Sequence, residues 1–173
     1  MIEIKMLEYP DDEQWREVYR RALVTCGGKA VKIPPAKWRR AILHARHSPI
    51  RRLRFAFSFE SLPYFVSVHL ARHVHAQPYI LSQRNDRQDK YDRNKASQDA
   101  PVDMIWDING EELLVIANKR LCRKADETTR AVVTKMCDLA RAYCPEFEGE
   151  LIPMCGYTGE CREIRPCGKD EQT

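Results

Sequence analysis

Glycine is scarce, at seven of 173 residues. None falls in a G-x-G-x-x-G or a G-x-x-x-x-G-K-[ST] pattern, so neither common phosphate-cradling loop is available. A nucleotide ligand would have to be held by side chains and helix ends. No serine stands in a nucleophile elbow. No apolar run approaches the length of a membrane-spanning helix. The first residues, MIEIKMLEY, lack the apolar stretch of a secretory signal. Internal repeats and low-complexity tracts are absent as well. These absences lead to the expectation of a cytoplasmic protein with no membrane partner and mostly reduced thiols. Its seven cysteines, an odd number, then need no disulfide framework.

What is present is ordinary globular material: 43% hydrophobic and 31% charged residues. That composition over this length suits a single domain spanning 1–173 with a real core. The net charge is only +4, but Lys and Arg cluster in 32–54, 72–95 and 119–135. Clustered cations favour phosphorylated ligands, with nucleic acid as the less favoured partner. For 83–95 alone, a solvated basic face is the preferred reading.

Ile2, Ile4 and Met6 alternate with Glu3 and Lys5, which predicts a strand over 2–8. Trp15, Val18, Tyr19, Ala22 and Leu23 recur at helical spacing and predict a helix from about 12 to 26. Pro34-Pro35 starts a second helix, which ends at His47-Ser48-Pro49. Leu53, Phe55, Phe57 and Phe59 share one face of the clearest strand. Ser61 and Pro63 open a third helix, which delivers Arg72 and His73 at its end. Either cation there could simply answer the helix dipole. Residues 83–102 are almost wholly polar and read as a mobile surface loop. Asn109 is a good N-cap, with Glu112 in capping-box position. Helices follow through Leu121 and over 126–143, and 149–173 reads as an irregular cysteine-containing tail.

Cys155, Cys161 and Cys167 recur every six residues. Zinc ligands usually lie roughly two to four apart, so free thiols are favoured over a metal site even with Cys144 as a fourth ligand. Cys122, Cys137 and Cys144 read as small core residues rather than nucleophiles. His44 and His47 lie three apart with an arginine and no glutamate between them, and no metal is expected there.

Arg72-His73-Val74, seven residues, then Ser82 and Arg84 resembles the R-H-R-x7-S signature of flavin-dependent thymidylate synthases. Other matches follow in order. Arg46-His47-Ser48-Pro49 and Phe55-Ala56-Phe57 resemble the family's H-x-S/T-P and F-x-F segments. Trp106 to Asn109 resembles its W-x-x-N approach to a helix, and Arg120 stands where that helix carries an essential arginine. Pro145, Phe147 and the cysteine tail resemble the ends of some members. The resemblance touches most of the chain. It implies an α/β (α+β) fold: a twisted, largely antiparallel sheet packed against helices. It also implies a homotetramer with active sites between subunits. The implied cofactor is FAD, the nucleotide dUMP, the carbon donor methylenetetrahydrofolate and the reductant NADPH.

By position, the resemblance makes Arg72, His73, Asn109 and Thr25 cofactor contacts. His47 or Ser48 matches another, with a one-residue shift leaving both open. Ser82 and Arg84 would hold the dUMP phosphate, and His69 stands at a nucleotide-binding glutamine. Arg120 would activate the uracil. The departures are Val74 for the second signature arginine, Arg51-Arg52 for an E-H pair, Glu111 for a flavin-contacting arginine, and Val115 for an asparagine. The connection from the signature to Asn109 is shorter than usual and lacks a further dUMP-binding arginine. The leading expectation is a flavin-dependent methyltransferase acting on carbon 5 of dUMP in nucleotide biosynthesis. Two alternatives stay open: a flavoenzyme acting on another uracil nucleotide or on uracil in nucleic acid, and a non-catalytic nucleotide-binding protein on the same scaffold.

Overall fold

A computed structural model of the chain describes residues 1–29, 32–84, 86–87 and 92–168. Its centre is the aromatic strand. The elements in order are β1 (Glu3–Glu8), α1 (Asp12–Val24), α2 (Ala36–His44), a 3-10 turn (Ser48–Arg52), β2 (Arg54–Pro63), α3 (Tyr64–Ala71), β3 (Ala76–Ile80), β4 (Pro101–Asn109), α4 (Gly110–Arg120), α5 (Glu127–Tyr143), a second 3-10 turn (Pro145–Phe147) and α6 (Met154–Thr158). The four strands form one antiparallel sheet in the order β1-β2-β4-β3.

Register explains the core. Phe57 pairs with Met6 on one side and Trp106 on the other, and Trp106 pairs with Pro78. Phe59 lies between Ile4 and Met104, and Met104 pairs with Ile80. Alternation sends all of these side chains to one face, where the helices cover them. Trp15 and Val18 of α1, Leu113 and Ile116 of α4, and Val133 and Met136 of α5 are buried in the same cluster. Phe147 meets Phe55 edge-on at 5.3 Å. Arg39 ties the helical layer together. It donates to Asp12 at 2.6 Å and Glu146 at 3.0 Å, with its guanidinium over the Trp15 ring.

The structure differs from the sequence-based expectations in three places. The 83–102 stretch does not reach 102 as a loop, because β4 begins at Pro101. Val102, Met104, Trp106 and Ile108 are its buried side, a full period-two pattern. Residues 85 and 88–91 of that stretch lie outside the described residues. The second is β3, a strand at Ala76–Ile80 where the sequence suggested no element, and it carries Pro78. An edge strand tolerates proline because one side of it needs no ladder donor. Thirdly, the helix expected from Ser61 begins at Tyr64. Ser61 is instead part of a bulge in β2, at φ 56°, with its N–H donating to Asp103 Oδ1 at 3.0 Å. The bulge keeps Leu62 facing inward and turns the chain into α3.

Asn109 caps α4 as expected, accepting from the Glu112 N–H at 2.9 Å. Behind it, Gly110 donates to the Leu53 carbonyl at 2.9 Å. A Cβ at 110 would lie 2.8 Å from the Ile50 carbonyl oxygen and 3.1 Å from Leu53 Cβ. Gly110→Ala is therefore expected to cost about 1–3 kcal/mol through overpacking against backbone. Urea unfolding checks this: the midpoint falls with the slope unchanged. No helix among the described residues is long and apolar enough to cross a membrane.

Candidate functional site

The last turn of α3 and one face of α4 build a buried polar cluster. Glu112 and Arg120 lie two helical turns apart on α4, so both side chains reach the same flank. His73 follows the α3 C-cap residue Arg72, and its ring lies along that flank. Its Nδ1 is 3.0 Å from Glu112 Oε1. Its Nε2 accepts from Arg120 Nε at 3.1 Å. A guanidinium nitrogen can only donate, so Nε2 carries no proton. The remaining imidazole proton is on Nδ1 and is donated to Glu112. His73 is thus neutral and fixed in one tautomer.

Arg120 is held a second time. Its Nη2 donates to the His69 carbonyl at 2.6 Å. His69 is pinned in turn by its Nδ1 against Thr129 Oγ1 at 2.9 Å and by the Phe65 ring edge. His73 packs edge-on against Trp106 at 6.1 Å. The chain therefore aims Arg120 through two acceptors, each fixed by a further contact.

Burial pushes the His73 pKa below its ordinary 6.5; hydrogen bonding to Glu112 pulls the other way, and Arg120 adds to the lowering. Burial and the Arg120 charge both favour a neutral imidazole. The unfolded chain binds this proton more readily than the folded one, so stability rises with pH. The His73 contribution is complete above about 6.5 and is lost as pH falls through the lower folded-state value. Thermal unfolding across mildly acidic pH should show this slope in the native protein and not in His73→Phe. Burial, and then the neighbouring charge of Arg72, depress the Arg120 pKa.

Arg72, His73, Lys119, Arg120 and Lys124 line an open cleft of about 320 Å³. Arg72 is exposed and makes no ion pair among the described residues. A cleft with this excess of fixed cations suits an anionic ligand.

A second cleft, of about 480 Å³, gathers Thr25, His47 and Ser48 over Trp38 and Ile42. These are the remaining cofactor positions that the family resemblance picked out, apart from Asn109. The two clefts share no lining residue. Asn109 is taken up by the fold: its Nδ2 donates to the His75 carbonyl at 3.3 Å while its oxygen caps α4. Ser82 and Arg84 line neither cleft. Arg84 is exposed and forks onto Asp86 at 2.9 and 2.7 Å, with its N–H toward Ser82 Oγ.

Two departures from the family pattern meet. Arg51 forks onto Glu111 through Nε at 2.5 Å and Nη2 at 3.2 Å. The negative charge of Glu111 is matched by a cation 60 residues earlier in the chain.

Glu112 is the member of the buried cluster that local sequence patterns miss. Its capping-box position is real, but its carboxylate turns away from the Asn109 backbone to His73. Its burial, at 5% exposed, is the signal that marks it; a buried carboxylate needs a partner. Of the cysteines, Cys137 and Cys144 are core residues as expected, their thiols pushed up to about 12 by burial. Cys122 is not one. It lies just past the end of α4, half-buried and lining a cavity.

No family model matches the chain, and no curated protein does. Among solved structures, the chain is similar to thymidylate synthase X from Helicobacter pylori, solved with FAD and dUMP. The identity is 12%, the TM-score 0.64, and the match covers 83% of this chain and 96% of that one. The two chains share a fold, which in this chain is a four-stranded antiparallel sheet packed with helices, mixed α/β in class.

Proposed function

We propose that the chain is a flavin-dependent methyltransferase acting on carbon 5 of dUMP. The observation that carries this reading is Arg120, aimed through the neutral His73 and the His69 carbonyl into a cationic cleft. Carbon 5 of uracil is a weak nucleophile. As it attacks, negative charge builds on the ring, and a fixed guanidinium at the ring edge lowers that barrier. Arg120 supplies this with no further reorganisation, since both of its anchors are already made.

The donor sets fit the two ligands. The Arg72 side suits phosphate or a flavin edge. The Thr25, His47 and Ser48 cleft offers hydroxyl and imidazole groups over an apolar floor, as an adenine or flavin ring system requires. FAD, when bound, supplies reducing equivalents drawn from NADPH, and methylenetetrahydrofolate supplies the carbon. Ser82 and Arg84 take the nucleotide phosphate, which replaces Asp86 on the same guanidinium fork. Arg84→Ala is expected to raise the KM for dUMP about tenfold or more, the worth of one charged hydrogen-bonded contact, with kcat little changed.

The separation of the two clefts supports active sites formed between subunits, with one subunit's Arg120 side facing another's His47 side, and the family resemblance makes the assembly a homotetramer. Static light scattering should return four times the 20.2 kDa chain mass. Two inactive variants, His47→Ala and Arg120→Ala, should regain activity when mixed and allowed to exchange subunits. Failure to complement, with exchange verified, would place each site within one chain. Flavin binding is tested by absorption: added FAD should bind and its bands shift on adding dUMP. A protein that takes up no FAD leaves this reading without support.

A further inference from the structure

Four of the seven cysteines come to one place. Cys122, beyond α4, and Cys155, Cys161 and Cys167 of the C-terminal segment line a single cavity of about 200 Å³. The other three, Cys26, Cys137 and Cys144, are elsewhere. All seven are free thiols. We propose that these four thiols form a closed structural zinc site that staples the C-terminal segment to the end of α4.

Number and chemistry fit the site. A closed structural zinc takes four ligands, and four thiolates at about 2.3 Å are a common set. Binding four thiols releases up to four protons and leaves a centre of net charge −2. Lys119, Lys124 and Arg162 line the same cavity and answer that charge. Cations around cysteine also favour the thiolate form that binds metal.

The segment also needs a staple. Residues 159–168 contain no helix or strand, and only Cys161 among them is even half-buried. Ile164 is fully exposed. The segment is tied down by Lys124 Nζ donating to the Arg165 carbonyl at 2.6 Å. Such a stretch has too little buried apolar surface to hold its place by packing. Gly159 and Gly168, at φ 77° and 74°, supply turns two residues before Cys161 and directly after Cys167. No three of the metal-binding side chains among the described residues already converge on one point. The proposed site therefore requires the segment to move inward over the cavity when the ion binds, the usual coupling of metal binding to local folding. The six-residue spacing is wider than a zinc knuckle's, and the fourth ligand, Cys122, comes from another element.

The consequence reaches the cationic cleft. Lys119, Cys122, Lys124 and Glu163 line both cavities, so an ion at the four thiols fixes one wall beside Arg120.

The test uses the full chain, purified under reducing conditions without chelator. Elemental mass spectrometry should find about one zinc per chain. Replacing it with Co2+ should give the intense visible d–d bands of a tetrahedral thiolate site. Cys161→Ser and Cys167→Ser should lose the metal and the bands, while far-UV circular dichroism stays native because the core excludes this segment. Cys26→Ser, outside the cavity, should keep both. Protein that carries no zinc and gives no cobalt bands with all thiols reduced overturns the proposal. So does a mass showing these four cysteines paired as disulfides.

Discussion

Arg120→Lys should lower the rate of carbon-5 chemistry about 100- to 1,000-fold, the usual cost of removing one preorganised donor to developing charge. The substitution keeps the positive charge, so the loss reports geometry. Arginine gives Nε to His73 and Nη2 to the His69 carbonyl at once, and this leaves its other N–H groups for the ligand. A lysine ammonium is a single point on a flexible stem and cannot hold both anchors while facing the cleft. His73 Nε2 then lacks a donor, at about 1–3 kcal/mol of stability. Single-turnover rates at saturating dUMP, beside thermal unfolding, separate the two effects. A variant with native kcat and a lowered melting temperature would make Arg120 structural only.

The second large effect distinguishes two changes at one residue. Glu112→Ala should lower activity about tenfold to a hundredfold and cost about 1–3 kcal/mol, by leaving the buried His73 Nδ1–H without an acceptor. Freed of Glu112, the imidazole can move its proton to Nε2, which then faces the Arg120 N–H and repels it. Glu112→Gln should come close to native. Its amide oxygen can still accept from Nδ1, and the alternative amide orientation would force the same Nε2–H against Arg120. Nitrogen-15 shifts of the His73 ring read the tautomer directly: Nδ1 protonated in the native chain and in Glu112→Gln, a mixture in Glu112→Ala. Loss of activity in Glu112→Gln with the native tautomer kept would mean that the carboxylate charge matters, rather than its hold on His73.

These two residues also show where sequence reading stops. The aromatic alternation of β2 and the Asn109 cap are local patterns, and both are visible in the chain. β4 has an equally strict alternation, obscured because its outward residues Asp103 and Asp107 continue a polar stretch. β3 is hidden by Pro78, which only an edge position excuses. The contacts that make the site are long-range. Glu112 meets His73 across 39 residues, and Arg51 meets Glu111 across 60. Nothing local in the chain marks such pairs, although the family resemblance picked out His73 and Arg120 individually. The resemblance also picked out Thr25, His47 and Ser48, which do share a cleft. Nothing in their spacing placed that cleft apart from Arg120. The cysteines divide in the same way: a six-residue repeat is plain in the tail, whereas Cys122 joins it only through the packing of α4 and α6.

The proposed function stands or falls on whether this cleft activates carbon 5 of a uracil nucleotide. The most direct measurement is release of tritium from [5-3H]dUMP by the purified protein with FAD, NADPH and methylenetetrahydrofolate. The expected result is release that needs all three and falls at least about 100-fold in Arg120→Lys. FAD-loaded protein that binds dUMP and releases no tritium would contradict it.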